Sequence, residues 1–428
     1  MSNGKSINSV FLDSVSKTPE QLLSKLLEGK LKEAGVKQYR KGAKALASHM
    51  LENGDQEFHF EDEDDEELDI SIQISADDIA LLEKQADALV GEIPEIVDRL
   101  AREQSREMLD DYRKDWFRYR RAEERDFSAF RWRLEARWGE ALDDLRLLVD
   151  LCTDEGEKER ARLSKSKAKR APIARHALVQ LHVRACQVAR EILTLIENGF
   201  PDGAMARWRT LHEIEIIALL LHDGGNELAR RYFDHQVVER KKAADLHQRT
   251  CRVSGSTPLS QKEMAEIEED FDSVVKLHGK EFAGDYGWAS RYLNNPNPRF
   301  ANLAERAGAE ASKPEYKYAS YNVHASSTAL RVRVGSLNGQ GNLSAGSTNA
   351  GLQEPAQKTA QSILLISSLL SSRSRSIDHA ILLHALVRLR DDAILKFETA
   401  AQVLLVDHQS IEEALFEQQI EDIDLSMI

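Results

Sequence analysis

Apolar residues recur along most of the chain at three- and four-residue spacings, the period of amphipathic helices. Leu22, Leu23, Leu26 and Leu27 form a first stripe in residues 11–58, with Pro19 suited to a helix opening. Leu68, Ile70, Ile72 and Ile74 alternate instead, which predicts one strand with no evident second strand to pair with. Ser75, Asp77 and Asp78 open the next helix with an acidic first turn, and Gly91 to Pro94 predicts a break in it. Residues 95–151 are almost wholly helix-forming and carry recurring aromatics, Tyr112, Trp116, Tyr119, Phe127, Phe130, Trp132 and Trp138. Such a charged and aromatic helix pair is expected to pack lengthwise against the rest of the chain or a second copy.

The second half reads as a succession of helices. One spans Pro172 to Glu197 and stops at Gly199. The next is capped by Asp202, buries Ile214, Ile217 and Leu221, and ends at Asp223-Gly224-Gly225. A third runs from Asn226 to Thr250, and a fourth from a Ser260 cap to Glu281. Shorter helices follow at 302–309 and 314–331, then a loop rich in Gly, Ser and Asn at 335–351. The last helices span 355–370 and 377–408. The predicted class is mainly α: a helical-bundle C-terminal domain with a mostly helical N-terminal region.

Composition divides this pattern into parts. Residues 1–153 form the N-terminal region, with an acidic loop at 55–69; 154–171 is a charged linker; 172–408 is the bundle; 409–428 is an acidic tail. A net charge of -14 argues against nonspecific nucleic-acid binding by the surface as a whole. It leaves room for local basic rows, such as Lys165, Lys167, Lys169, Arg170 and Arg175, or Arg118, Arg120 and Arg121 among aromatics. A charged, solvated helix is the plainer reading of both rows, and Glu123 and Glu124 dilute the second. Cys152, Cys186 and Cys251 match neither a disulfide framework nor a zinc site, which suits a reducing, cytoplasmic setting. Residues 1–10 lack the apolar core of a signal peptide, and no apolar run is long enough to span a bilayer, so no membrane association is expected.

Candidate chemistry concentrates on three helices. The first carries Arg207, Arg209, His212 and Glu213; the second Arg231, His235 and Glu239; the third Tyr316, Tyr318, Ser320 and His324. Residues one turn apart share a face, so these stripes could line one pocket. Three readings stand. In the first, His212 moves a proton while Arg207 and Arg209 bind a phosphate, the requirement for metal-independent RNA cleavage through the 2′-OH. In the second, the same groups form a buried polar network that fixes helix register. In the third, His212, His235, Glu239 and His324 ligate a metal, although the chain has no HExxH signature. There is also no Walker loop and no dinucleotide-binding glycine fingerprint, so no cofactor is expected.

Several segments in 175–330 carry a resemblance. They are Gly199-Phe200-Pro201-Asp202-Gly203-Ala204, Arg207 to Glu213, Arg231-Tyr232 with His235, Tyr286-Gly287-Trp288-Ala289, and Tyr318-Ala319-Ser320 with Val323-His324-Ala325. Their order and character resemble a bacterial family of unknown function, DUF5677, which brings no established reaction. The Arg207-to-His212 spacing is also similar to that of HEPN domains, helical bundles found in prokaryotic defence and toxin ribonucleases, though Trp208 stands where those domains usually have a polar residue. That similarity implies an endoribonuclease of a defence or stress system, acting on RNA as a homo-oligomer with facing motifs. His212 would then be the acid or base, Arg207 and Arg209 the phosphate ligands, and Glu213 or Tyr318 the orienting group. His235 and His324 complete the candidate set. The alternative is a noncatalytic helical protein that binds a ligand or a protein, with a protein partner able to dock on the N-terminal region.

Overall fold

The computed structural model describes residues 17–54, 58, 70–165, 172–324, 326–329, 331, 334–336, 345–371 and 376–426. The helices are α1 (Thr18–Glu33), α2 (Tyr39–Asn53), α3 (Ala76–Lys165), α4 (Ile173–Glu197), α5 (Pro201–Asp234) and α6 (Gln236–Ser254). They continue with α7 (Gln261–His278), α8 (Phe300–Arg306), α9 (Lys313–Val323), α10 (Gln353–Ser371) and α11 (Ile377–Ser426). Among the described residues there is no strand, so the protein is all-α. None of the described helices is long and apolar enough to cross a membrane. The chain forms two compact units, Met1–Ala122 and Glu123–Ile428, and α3 contributes residues to both.

In the first unit α1 and α2 make a hairpin across Gly35, whose φ of 86° is costly for any side-chain-bearing residue. Leu27 and Leu31 of α1 pack with Ala43 and Ala47 of α2, and Leu23, Tyr39, Met50 and Ile72 close around them. The strand expected at 68–74 is not formed. Residues 70–75 carry no sheet pairing, and Leu68 and Asp69 lie outside the described residues, as does most of the acidic run 55–69. With no second strand available, the alternation serves a different purpose: Ile72 meets the helical hairpin. The start of α3 is capped reciprocally. Ser75 donates its backbone N–H to Asp78 at 2.7 Å, and Asp78 donates its own to Ser75 Oγ at 3.2 Å. Lys30 of α1 reaches Asp78 at 2.7 Å, and its hydrogen bond, followed by those from Ser75, draws the Asp78 carboxyl down to about 2.

The expected break at Gly91–Pro94 is absent, because α3 continues through Pro94. One proline removes a single backbone hydrogen bond, and the long helix-forming stretches on either side outweigh that loss. The stretch 154–171, charged enough to read as a linker, is helical through Lys165, and Glu155, Glu159 and Leu163 on it are buried. Residues 166–171 lie outside the described residues.

The second unit is organised around α5, which packs against α4, α9 and α10; α10 also packs on α4 and α11. The sequence explains the central place of α5. Ala204, Trp208, Leu211, Ala218 and Leu221 make one buried row, and Met205, His212, Ile216 and Leu220 make another. The narrower stripe expected from Ile214, Ile217 and Leu221 is therefore widened, with Ile216 fully buried and Ile217 only partly so. Gly225, with φ 62° and ψ −149°, kinks α5 where Asp223-Gly224-Gly225 marked an end; the helix then resumes to Asp234. The expected helix 226–250 is thus divided at His235 between α5 and α6. Ser260 caps α7 with Glu263 in a full capping box, as its position suggested. The tail expected after residue 408 is a continuation of α11 as far as Ser426.

Candidate functional site

Asp202 does not cap α5. It lies in the first turn, behind Pro201, and its Oδ1 accepts the backbone N–H of Val334 at 2.8 Å. Gly199 accepts the backbone N–H of Thr348 at 2.9 Å, and a Cβ there would fall 2.6 Å from Phe130. The Gly199–Gly203 segment therefore anchors Val334 and Thr348 against the bundle.

About two to three turns further along α5, four polar side chains share a neighbourhood. Arg209 Nε lies 3.2 Å from Glu213 Oε1, and the Tyr316 hydroxyl of α9 donates to the same oxygen at 2.6 Å. The Arg209 guanidinium lies over the Tyr316 ring, 4.9 Å from its centroid. Burial first, and then the bond to Glu213, hold the Tyr316 phenol well above its ordinary range. The His212 imidazole is stacked on Trp208 at 5.1 Å and faces Tyr316 at 5.9 Å. Its Nδ1 lies 3.3 Å from Glu215 Oε2, which accepts the Ser362 hydroxyl of α10 at 2.6 Å. Trp208 Nε1 in turn donates to Ser362 Oγ at 3.3 Å. His212 is only 3% exposed. These bonds tie α5 to α9 and α10 through groups that need partners once they are buried.

Arg207 is not part of this group. Five residues along a helix turn the side chain by about 140°, and Arg207 is paired with Glu191 of α4 and with Thr210. Tyr318, two residues from Tyr316, shares none of the contacts around His212; burial raises its phenol as well, with Glu354 and Asp202 adding to the effect. His324 ends α9 and is exposed. The expected common pocket of three stripes therefore reduces to Arg209, His212 and Glu213 with Tyr316, joined by Glu215 and Ser362.

His235 belongs to a second cluster. Its Nε2 lies 2.8 Å from the Gly284 carbonyl oxygen, and its ring meets Phe282 edge-on. Beside it, buried Arg231 donates to the carbonyls of Trp288 at 2.9 Å and Gly287 at 3.0 Å, and to Ser290 Oγ at 3.2 Å. Burial lowers its pKa from the usual arginine range. Arg231 and His235 thus fasten the Gly279–Ser290 turn onto the end of α5. The carbonyl partners leave no trace in the sequence, because any residue supplies them.

A third cluster had no forewarning. His182 of α4, 1% exposed, places Nε2 2.9 Å from Ser367 Oγ of α10, and Nδ1 3.6 Å from Cys186 Sγ. Gly156 of α3 makes room for the ring, since a Cβ there would meet it at 2.4 Å. Burial pulls the imidazole down to about 4 and pushes the nearby Cys152 thiol up to about 12. Both groups are neutral near pH 7, and neither is set up as a nucleophile or a base. A histidine and a cysteine four apart on the apolar face of α4 were the available signal.

No group of three or more His, Cys, Asp or Glu side chains among the described residues converges as metal ligands would; His212, His235, Glu239 and His324 do not gather. The chain is thus an all-α protein with a buried polar and charged network. Neither a curated protein nor a solved structure matches it. Nothing found supports the HEPN likeness. Residues 175–342, less than half the chain but covering α5 and its polar partners on α9, match a family described as a family of unknown function, DUF5677.

Proposed function

We propose that the protein is a noncatalytic helical binding protein, in which the His212 network sets the register of the bundle that supports its binding surfaces. The observation that supports this reading is the enclosure of His212. Its ring lies between Trp208 and Tyr316, its Nδ1 is engaged by Glu215, and Glu215 is held by Ser362. A general base in RNA cleavage must reach a substrate hydroxyl to within about 3 Å. The arginine expected beside it, Arg207, is committed to Glu191.

The second reading, a metal-independent endoribonuclease of a prokaryotic defence or stress system, draws support from Arg209. That guanidinium, about one-quarter exposed, adjoins His212 through Tyr316 and Glu213. In that reading Arg209 binds the phosphate and His212 moves the proton. The two readings separate on incubation of the purified protein with total cellular RNA in EDTA, comparing wild type with His212→Gln. The noncatalytic reading expects intact RNA with both proteins and a lower Tm for the variant. EDTA-resistant cutting that vanishes in a His212→Gln protein of unchanged Tm would overturn it.

A further inference from the structure

The helix α3 presents a further surface that none of the three polar clusters uses. Between Ala101 and Tyr119, residues Ala101, Ser105, Met108, Leu109, Tyr112, Trp116 and Tyr119 fall on one face, at the four-three spacing of a helix seam. The large side chains on it are open to solvent: Met108 54%, Leu109 47%, Tyr112 58%, Trp116 60% and Tyr119 58%. The seam is about 27 Å long at 1.5 Å per residue. Its large side chains expose on the order of 600 Å² per copy, and two such faces reach the roughly 1,200 Å² at which specific interfaces begin.

The borders of the seam carry opposite charge. Helical phase places Arg102, Arg106 and Arg113 along one side and Gln104, Asp111 and Asp115 along the other, with Arg118 turned further towards the back of the helix. Present partners such as Asp98 for Arg102 and Asp110 for Arg113 are exposed neighbours on the same helix, pairs that cost little to exchange. A two-fold axis parallel to the helices sets the arginine border of one copy against the aspartate border of the other. An antiparallel copy would oppose arginine to arginine. From this charge segregation and the area available, we infer that the Ala101–Tyr119 face of α3 pairs with the same face of a second copy of this chain, parallel and in register. The inference is independent of the role of His212.

Sedimentation equilibrium of the full chain tests it, with wild type, Trp116→Glu and Ser105→Cys. The expected result is a wild-type dimer whose dissociation constant rises by ~30-fold or more in Trp116→Glu, the scale of a central aromatic contact. Circular dichroism would show equal helicity in the two proteins. Ser105 lies on the seam and meets its own copy in a parallel register, so Ser105→Cys should yield a disulfide-linked dimer on mild oxidation. The native cysteines are all buried and do not compete. A monomeric wild type, or a dimer indifferent to Trp116→Glu, would overturn the pairing. A Trp116-sensitive dimer without the Ser105→Cys cross-link would overturn the parallel register. A monomer that binds fluorescein-labelled polyuridylate through Trp116 would replace the second copy with RNA.

Discussion

Glu215 Oε2 lies 3.3 Å from His212 Nδ1 and accepts the Ser362 hydroxyl at 2.6 Å, so one carboxylate oxygen joins two helices. Ser362 Oγ also receives the Trp208 indole N–H. Replacing Ser362 by Ala removes the donor to Glu215 and the acceptor for Trp208 without changing the backbone. The expected loss is about 1–3 kcal/mol of unfolding free energy, the cost of stranding buried polar groups. Urea denaturation of Ser362→Ala against wild type measures it; an unchanged midpoint would mean that the network carries no such cost.

His182 predicts a pH dependence. Burial brings its folded pKa down to about 4, below the ordinary histidine value of about 6.5. Below pH 6.5 the unfolded chain takes up a proton at this position that the folded protein refuses. Stability is therefore complete above 6.5 and falls as the pH drops from 6.5 towards 4, by at most about 1.4 kcal/mol per pH unit for one proton. Tm measured from pH 7 to 4 should fall less steeply in His182→Gln than in wild type, even if the variant starts lower. Parallel curves would contradict the assignment.

Arg231 holds two backbone carbonyls and a serine hydroxyl of the 287–290 turn. Arg231→Met keeps much of the aliphatic volume and discards all three bonds. We expect a loss of about 3 kcal/mol, since the Trp288 carbonyl and Ser290 Oγ lose the Arg231 donor together and the Gly287 carbonyl keeps only Ser290. Hydrogen exchange resolved by peptide should show the 279–290 segment opening first; uniform protection across that segment would contradict the role.

The sequence carried the helices better than the site. Ser260 with Glu263, Gly199 and the Asp223–Gly225 break are local signals, and the backbone follows them closely. Pro94 misled because a single interruption lies within a very long helix-forming stretch. Tyr316 and Tyr318 could not be told apart by composition. Two residues change the helical direction by about 200°, and only Tyr316 meets Glu213. The partners of Arg231 are backbone carbonyls, and that of His182 is a serine 185 residues away, relationships that periodicity does not encode. Arg207 and His212 have the spacing of a catalytic pair, and the chain turns them to different neighbours.

The enclosure of His212 is tested residue by residue by histidine hydrogen–deuterium exchange at the imidazole Cε1. Exposed His324 at the end of α9 supplies an internal reference in the same molecule. With the network closed, His212 exchanges much more slowly than His324 in the intact protein, and the two converge in denaturant. Comparable rates in the folded protein would show that the His212 ring meets solvent freely, which would contradict the closed network and return His212 to the role of acid or base.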